Sequence, residues 1–508
     1  MLKKILRMLT QRVVITALFI LIQAVLLFGI IWKLNNYFVY FYAASILLSV
    51  LLTLGIINSK SNPAYKIAWL IPILLLPVFG GMFYLVFGSS RTGRYIRKKM
   101  RTVGQEMREE VQKLSDHSGI DQMEADAVNQ SRYITRWAYS PPYRNTWTEY
   151  LPMGEVKFER MVQELKKAKH FIFMEYFIIE EGKMWNTIRD ILCQKVEEGV
   201  DVRLIYDDMG CIMTLPNGYN KKLEKMGIKC AVFNPFVPVL SSKFNTRDHR
   251  KICVIDGNVG FTGGVNLADE YINAYEKHGH WKDTAILLRG EAVFSLTAMF
   301  LSMWDYLTGT REDYSNYLPT ETVPDAKGFV QPFADNPLDD EAVGETVYMN
   351  IINKAKRYVY ITTPYLIIDN EMCTALCTAA KSGVDVRIIT PHVPDKWYVH
   401  AVTRAYYQVL VEAGVRIFEY TPGFIHAKTF VADDEYAVVG TINMDYRSLY
   451  LHFECGAWMY QTSSVLDVRD DFFKTQQISQ EITREQCRNV SFPVRLGRSV
   501  LRVFAPLM

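Results

Sequence analysis

The sequence has almost no net charge: 57 lysines and arginines stand against 54 aspartates and glutamates, leaving +3 over 508 residues. Proteins that track nucleic-acid phosphates usually show a basic stripe, and this balance argues against a nucleic-acid partner. Regularly spaced cysteines are also lacking. Cys193, Cys211, Cys230, Cys253, Cys373, Cys377, Cys455 and Cys487 fall at irregular intervals. Only Cys373 and Cys377 sit one helical turn apart, and no second ligand pair lies in sequence reach. This pattern favours buried free thiols over a thiolate metal site, and free thiols suit a reducing compartment. No metal and no cofactor are expected.

Charge is wholly missing from residues 13–32, 38–57 and 67–87. Each run is close to the ~20 apolar residues that cross a bilayer. A signal peptide would explain only the first, which is too long and shows no clear small-x-small cleavage site. The third is interrupted by Pro72, Pro77 and Gly80-Gly81. Residues 1–90 therefore read as a multi-pass anchor of two to three apolar segments. Basic residues collect before the first run (Lys3, Lys4, Arg7, Arg12) and more heavily after the third (Arg91, Arg94, Arg97, Lys98, Lys99, Arg101). The positive-inside tendency puts the residues after Gly88 in the cytoplasm, beside anionic headgroups. Three full spans cannot keep both clusters on that side, so either the third run dips in and out or the weaker N-terminal cluster yields.

Residues 91–144 are charged and helix-compatible and read as a connector. Beyond them strands and helices alternate. Residues 171–178, 200–206 and 228–233 are apolar and β-prone, and helices fill the intervals. The same order returns with strands at 358–363, 384–389 and 415–420. Gly199-Val200-Asp201-Val202-Arg203 and Gly383-Val384-Asp385-Val386-Arg387 are identical in type. Buried strands alternating with helices predict an α/β fold, and the repeat predicts two such domains, 145–325 and 326–508. A linker is expected between about 312 and 340, where Pro319, Pro324, Pro332 and Pro337 collect. At the C-terminus, Arg495, Arg498 and Arg502 share one helical face and Val494, Leu501 and Phe504 another. This amphipathic helix suits either a membrane interface or packing on its own domain.

Each domain carries one copy of a spaced motif. His249, Lys251, Asp256, Gly263-Gly264 and Asn266 are matched by His426, Lys428, Asp433, Gly440-Thr441 and Asn443. One copy alone would be an ordinary structural histidine. Two copies in register, on tandem domains, can bring both histidines, both lysines and both asparagines to one point. Two lysines and two asparagines suit a tetrahedral anion, most naturally a phosphodiester. Two imidazoles then supply a nucleophile for phosphorus and an acid for the leaving alcohol. Each nucleophilic imidazole needs a carboxylate on its far nitrogen. Glu454, twenty-eight residues beyond His426, is one candidate, and Asp283 is its counterpart in the first half. Asp256 and Asp433 belong to the motif, but they read as structural supports more readily than as bases.

The doubled His-x-Lys pattern, with Asp five residues beyond the Lys and Gly-Gly or Gly-Thr before x-Asn, resembles the phospholipase D superfamily. Asn245-x-Arg247-Asp248-His249-Arg250-Lys251 and Gly440-Thr441-Ile442-Asn443-Met444-Asp445-x-Arg447-Ser448 resemble bacterial cardiolipin synthases in particular. So does the stretch from Ala68-Trp69 through Pro77, Gly80 and Tyr84 to Gly88. The run at 13–32 is an extra segment relative to that family. The resemblance implies two phospholipase D-like domains forming one pseudo-symmetric site. It also implies a bacterial membrane enzyme that converts two phosphatidylglycerols to cardiolipin and glycerol through a phosphatidyl-histidine. By analogy His249 is the nucleophile and His426 the acid, roles the residues themselves do not separate. Its expected partners are phosphatidylglycerol and anionic membrane lipids. The alternatives are a hydrolytic phospholipase D, another phosphatidyltransferase such as a phosphatidylserine synthase, a nuclease on the same fold, and an inactive scaffold. The anchor and neutral charge argue against the nuclease, and the two complete motifs against the scaffold. Oligomeric state leaves no signal.

Overall fold

In the computed structural model the third apolar run is a bent hairpin. Residues 21–26, 28–29, 32–33, 38–88, 94–114, 120–236, 245–321, 323, 326–339 and 341–507 are described. Much of the run at 13–32, and the basic residues Lys3 to Arg12, lie outside them. Helix Phe38–Ile57 is uncharged, exposes Val39, Leu47 and Leu51, and is long enough to cross a membrane. It is the one such helix among the described residues. Helix Pro63–Leu75 is too short to span, and Pro77–Phe83 turns back along it. Proline forces the bend, and glycine permits the close return. A Cβ on Gly80 would lie 2.1 Å from the Pro72 carbonyl oxygen. Trp69 meets Phe83 and Tyr84, and Ser49 donates to the Pro77 carbonyl at 3.0 Å, tying the hairpin to the long helix.

The connector is packed on both halves. Helix Arg94–Leu114 lays Met100, Met107 and Val111 on helix Val293–Thr308. Helix Ala125–Trp137 lays Ala127 and Ile134 on helix Val343–Lys354.

The first half contains β1 (Thr146–Leu151), β2 (Phe171–Tyr176), β3 (Asp201–Asp207), β4 (Lys229–Phe233), β5 (Arg247–Asp248), β6 (Ile252–Ile255), β7 (Val259–Gly263), β8 (His280–Lys282) and β9 (Ala285–Gly290). The second contains β10 (Phe329–Asp335), β11 (Tyr358–Thr362), β12 (Leu366–Ile367), β13 (Asp385–Pro391), β14 (Arg416–Tyr420), β15 (Gly423–Ile425), β16 (Thr429–Ala432), β17 (Tyr436–Gly440), β18 (Met444–Asp445), β19 (His452–Tyr460) and β20 (Ser479–Glu481). The first sheet runs β1-β9-β7-β6-β2-β3-β4. The second repeats it strand for strand as β10-β19-β17-β16-β11-β13-β14, then adds β20. In each sheet the three strands anticipated from the sequence pair in parallel, and the strands around the motif pair antiparallel. The sheets are therefore mixed. The proline-rich stretch is not all linker: β10 lies within it. Pro332 is tolerated because β10 is an edge strand, paired with β19 and joined by one bridge to Tyr143.

The halves share a core. Ile252, Val254 and Ile286 of the first cluster with Ile425, Ala427, Phe453 and Cys455 of the second. Burying apolar surface on this scale fixes the halves against each other. The C-terminal helix Phe492–Phe504 packs on helix Trp397–Ala413, and Leu507 reaches the cluster of Ile56, Trp69 and Ile73 in the anchor.

Candidate active site

Each histidine is delivered by a strand that has crossed to the other half. β5 pairs in parallel with the start of β19, placing Asp248 opposite Phe453. β15 pairs in parallel with β8, placing Ile425 opposite Lys282. The His249 N–H donates to the Phe453 carbonyl at 2.9 Å, and the His426 N–H to the Lys282 carbonyl at 2.7 Å. The residue that follows Phe453 is Glu454, and the residue that follows Lys282 is Asp283.

That register fixes the pairing. His249 Nδ1 lies 2.9 Å from both oxygens of Glu454. His426 Nδ1 lies 2.6 Å from Asp283. The sequence placed Glu454 with His426 and Asp283 in the first half; the carboxylates are instead exchanged between halves. Each carboxylate accepts the Nδ1 proton, which leaves Nε2 as the nitrogen free to react. Lys428 Nζ also sits 2.8 Å from His426 Nδ1. One Nδ1–H cannot both donate to Asp283 and accept from Lys428. The shorter, charge-assisted bond to Asp283 decides the tautomer, and Lys428 donates to the His426 carbonyl.

A glycine and a threonine adapt the two pairs to different acids. A Cβ on Gly264 would come within 2.0 Å of Asp283. At the equivalent position Thr441 donates its hydroxyl to Glu454. Aromatic rings border both imidazoles: Phe177 lies 5.0 Å from His249, and Tyr271 and Trp281 each lie 5.6 Å from His426. In the sequence Phe177 is one residue of an apolar strand and Tyr271 belongs to no motif, so neither is marked there as part of the site.

Lys251 donates to the His249 carbonyl at 2.6 Å, mirroring Lys428. Both lysines are buried, and burial pulls Lys251 down to about 8 and Lys428 to about 7. Burial also holds both imidazoles well below their usual value, with the charges of Lys251 and Lys428 acting on each. Both histidines sensing both lysines is the electrostatic mark of one site. Burial pushes Asp283 up to about 6, opposed by Lys428.

The motif aspartates and asparagines have hydrogen-bond partners of their own. Asp256 accepts the N–H groups of Lys169, His170 and Phe171, and Asp433 those of Lys356, Arg357 and Tyr358. Both sit in tight turns at positive φ, 51° and 56°. Each is a four-residue strand away from its lysine, about 13 Å by strand rise. They anchor the turn to the start of β2 and β11. Asn266 accepts from the Ile178 N–H and donates to the Tyr271 hydroxyl at 2.7 Å, while Asn443 donates to Ser448 at 3.0 Å. Arg250, between His249 and Lys251, forms a buried ion pair with Glu175 at 2.5 Å that the second half replaces with Ala427 and Thr362.

Among the described residues one group could ligate an ion: His249, His452 and Glu454, whose ligand atoms lie within 4.8 Å of one another. Glu454 already accepts from His249 and Thr441, and two lysine charges stand nearby. The donor set suits a held imidazole rather than a divalent cation.

Comparison with known proteins identifies the family. A family described as "Cardiolipin synthase, PLD-like domain" matches residues 161–304 and 348–476, and "Phospholipase D-nuclease N-terminal" matches 47–89. A Streptococcus mutans protein described as uncharacterized is 46% identical over 461 residues, covering 90% of this chain and 99% of its own. A cardiolipin synthase of Geobacillus kaustophilus is 37% identical over 465 residues, 90% of this chain and 92% of its own. The crystal structure of a Haemophilus influenzae phosphatidylserine synthase shares the fold, with a TM-score of 0.58 and 14% identity over 75% of this chain and 100% of that one. The chain is therefore a membrane-associated phosphatidyltransferase that belongs to the phospholipase D superfamily, within its bacterial cardiolipin synthase family.

Proposed function

We propose that this protein joins two phosphatidylglycerols into cardiolipin, releasing glycerol. His249 Nε2 attacks the phosphorus of the first lipid, and the bond from phosphorus to the glycerol oxygen breaks. His426 gives that oxygen its proton, and glycerol departs. The terminal hydroxyl of a second phosphatidylglycerol then attacks phosphorus and passes its proton to His426. The phosphorus–nitrogen bond breaks, and His249 returns to its starting state.

The observation that carries the reading is the exchanged pairing of His249 with Glu454 and His426 with Asp283. It leaves Nε2 of each imidazole free to react, and the charges of both lysines act on each ring. The neutral imidazole favoured by burial is the right form for attack. A phosphodiester anion between Lys251 and Lys428 offsets their charge and restores the acid form of His426. Near-thermoneutral transfer to a lipid hydroxyl requires that water be kept from the phosphatidyl-histidine.

In this reading the anchor is multi-pass, the Pro63–Phe83 hairpin dips into one leaflet, and the catalytic halves (145–325 and 326–508) face the cytoplasm. The basic cluster after Gly88 supports that orientation. The test is turnover of labelled phosphatidylglycerol by the purified protein in vesicles. Cardiolipin and glycerol in equal amounts are expected. Phosphatidate alone would make the protein a hydrolase.

A further inference from the structure

The C-terminal helix Phe492–Phe504 is inverted relative to an ordinary surface helix. Pro493 sits in its first turn, where a missing N–H costs little. Phe492, Leu496 and Val500 recur every four residues and form one stripe. Arg495, Arg498 and Arg502 recur at three and four residues and form another. A helix packed on its own domain buries the apolar stripe and exposes the charged one. Here no residue of the helix is buried, and Phe492, Leu496 and Val500 keep 66%, 53% and 52% of their surface. Two of the arginines turn inward instead. Arg498 is half-buried and lines the cleft against helix Trp397–Ala413 together with His400 and Arg404. The Arg502 guanidinium lies 4.4 Å from the centre of the Tyr406 ring.

The place of the helix in the fold says what meets its outward face. Ala505–Leu507 follow it directly and pack on helix Pro63–Leu75 of the anchor hairpin. Leu507 joins Ile56, Trp69 and Ile73 there. Ile56 stands one residue before the end of helix Phe38–Ile57, the helix long enough to cross a membrane. The C-terminal helix therefore ends at the level where that helix would leave the hydrocarbon. From this level its 13 residues extend about 20 Å, at ~1.5 Å each. Its exposed apolar stripe thus continues the apolar surface of the anchor, where Leu47 and Leu51 are also exposed.

Two further features fit a lipid surface. Trp397 lines the same cleft as Val494 and keeps 73% of its surface, and tryptophan favours the boundary between hydrocarbon and water. Arg488, Arg495, Arg498 and Arg502 follow Glu485 in the chain, and no acid does. The surroundings of the stripe are therefore basic and complement anionic headgroups.

We infer that the C-terminal helix lies in the plane of the bilayer interface, with Phe492, Leu496 and Val500 sunk among the lipid acyl chains and Trp397 at headgroup level. Arg495 reaches from the flank of the helix to lipid phosphates. The second half then has a membrane contact of its own beside the anchor, which holds the catalytic halves against the surface. This placement requires the anchor to be in a membrane and is independent of which lipid is turned over.

The test uses the full-length protein in vesicles of phosphatidylglycerol and phosphatidylcholine. A nitroxide side chain replaces Leu496, Val500 or, for comparison, Leu47, one at a time. All three are exposed, so the label displaces no core packing. Power saturation compares collisions with oxygen, which concentrates in the bilayer, and with a water-soluble nickel chelate. Labels at 496 and 500 should favour oxygen, at nearly equal depths of about 5–10 Å. An upright helix would separate them by about 6 Å. The label at 47, in the middle of helix Phe38–Ile57, should lie deeper. A water-like value at 496 or 500 beside an oxygen-favoured label at 47 overturns the interfacial placement and leaves the anchor standing. So does a depth difference near 6 Å, or dipolar broadening that reports a second copy of the chain on the stripe. A water-like label at 47 refutes the membrane attachment itself, and the placement with it.

Discussion

Glu454 accepts the Nδ1 proton of His249 across the boundary between the two halves, at 2.9 Å, and is itself fully buried. Neither half therefore holds a complete histidine–carboxylate pair. Replacing Glu454 by Gln keeps the size and removes the charge that orients the ring. The expected result is a fall in kcat of about 10²–10⁴-fold with little change in KM. Steady-state kinetics on Glu454→Gln check this, and a kcat within threefold or so of the unaltered protein would mean His249 needs no such partner.

Gly264 leaves room for the Asp283 carboxylate that holds His426. A methyl group there meets Asp283 at 2.0 Å, and the carboxylate must move. Gly264→Ala should lower kcat by at least about tenfold, because a misplaced proton donor costs more than its binding energy. The exchange at the equivalent position, Thr441→Val, should be milder, removing one hydrogen bond to Glu454. Side-by-side kinetics of the two variants test the difference.

The motif aspartates should behave oppositely. Asp433→Ala strips three backbone N–H groups of their acceptor at the entry to β11. Partly buried bonds to a charged acceptor are worth about 1–3 kcal/mol each, with water recovering some of the loss. A destabilisation of about 2–4 kcal/mol is expected, with kcat largely kept in the folded fraction. Thermal unfolding and active-site-normalised rates separate the two effects.

These cases show what the chain made legible. The buried parallel strands β2, β3, β11 and β13 were plain, because continuous apolar runs bounded by helices leave few alternatives. The antiparallel strands around the motif are short, and their two buried faces hide the alternation that would mark them. Glu454 and Asp283 were found as acids, but the exchange between halves was not, because it depends on β5 and β15 pairing with strands far away in sequence. Pro332 disguised an edge strand as linker. Phe177, Tyr271 and His452 joined the site only through tertiary folding.

Protonation of the lysines should be visible in anion binding. Burial lowers Lys428 to about 7 and Lys251 to about 8, so each is charged below that value and neutral above it. An oxyanion binds the charged forms. Affinity for tungstate or phosphate as a competitive inhibitor should therefore fall as pH rises through about 7 to 8, by roughly tenfold per unit for each lysine titrated. A flat inhibition constant from pH 6 to 9 would place the anion elsewhere.

The central claim is that one histidine carries the phosphatidyl group while the other serves as acid. A phosphatidyl ester of p-nitrophenol needs no acid to leave. Mixed with His426→Ala, it should release a burst of p-nitrophenol equal to the enzyme present. Peptide mass spectrometry of the quenched protein should then find the phosphatidyl group on His249. An adduct on any other residue, or no burst from this variant or from the unaltered protein, would contradict the account.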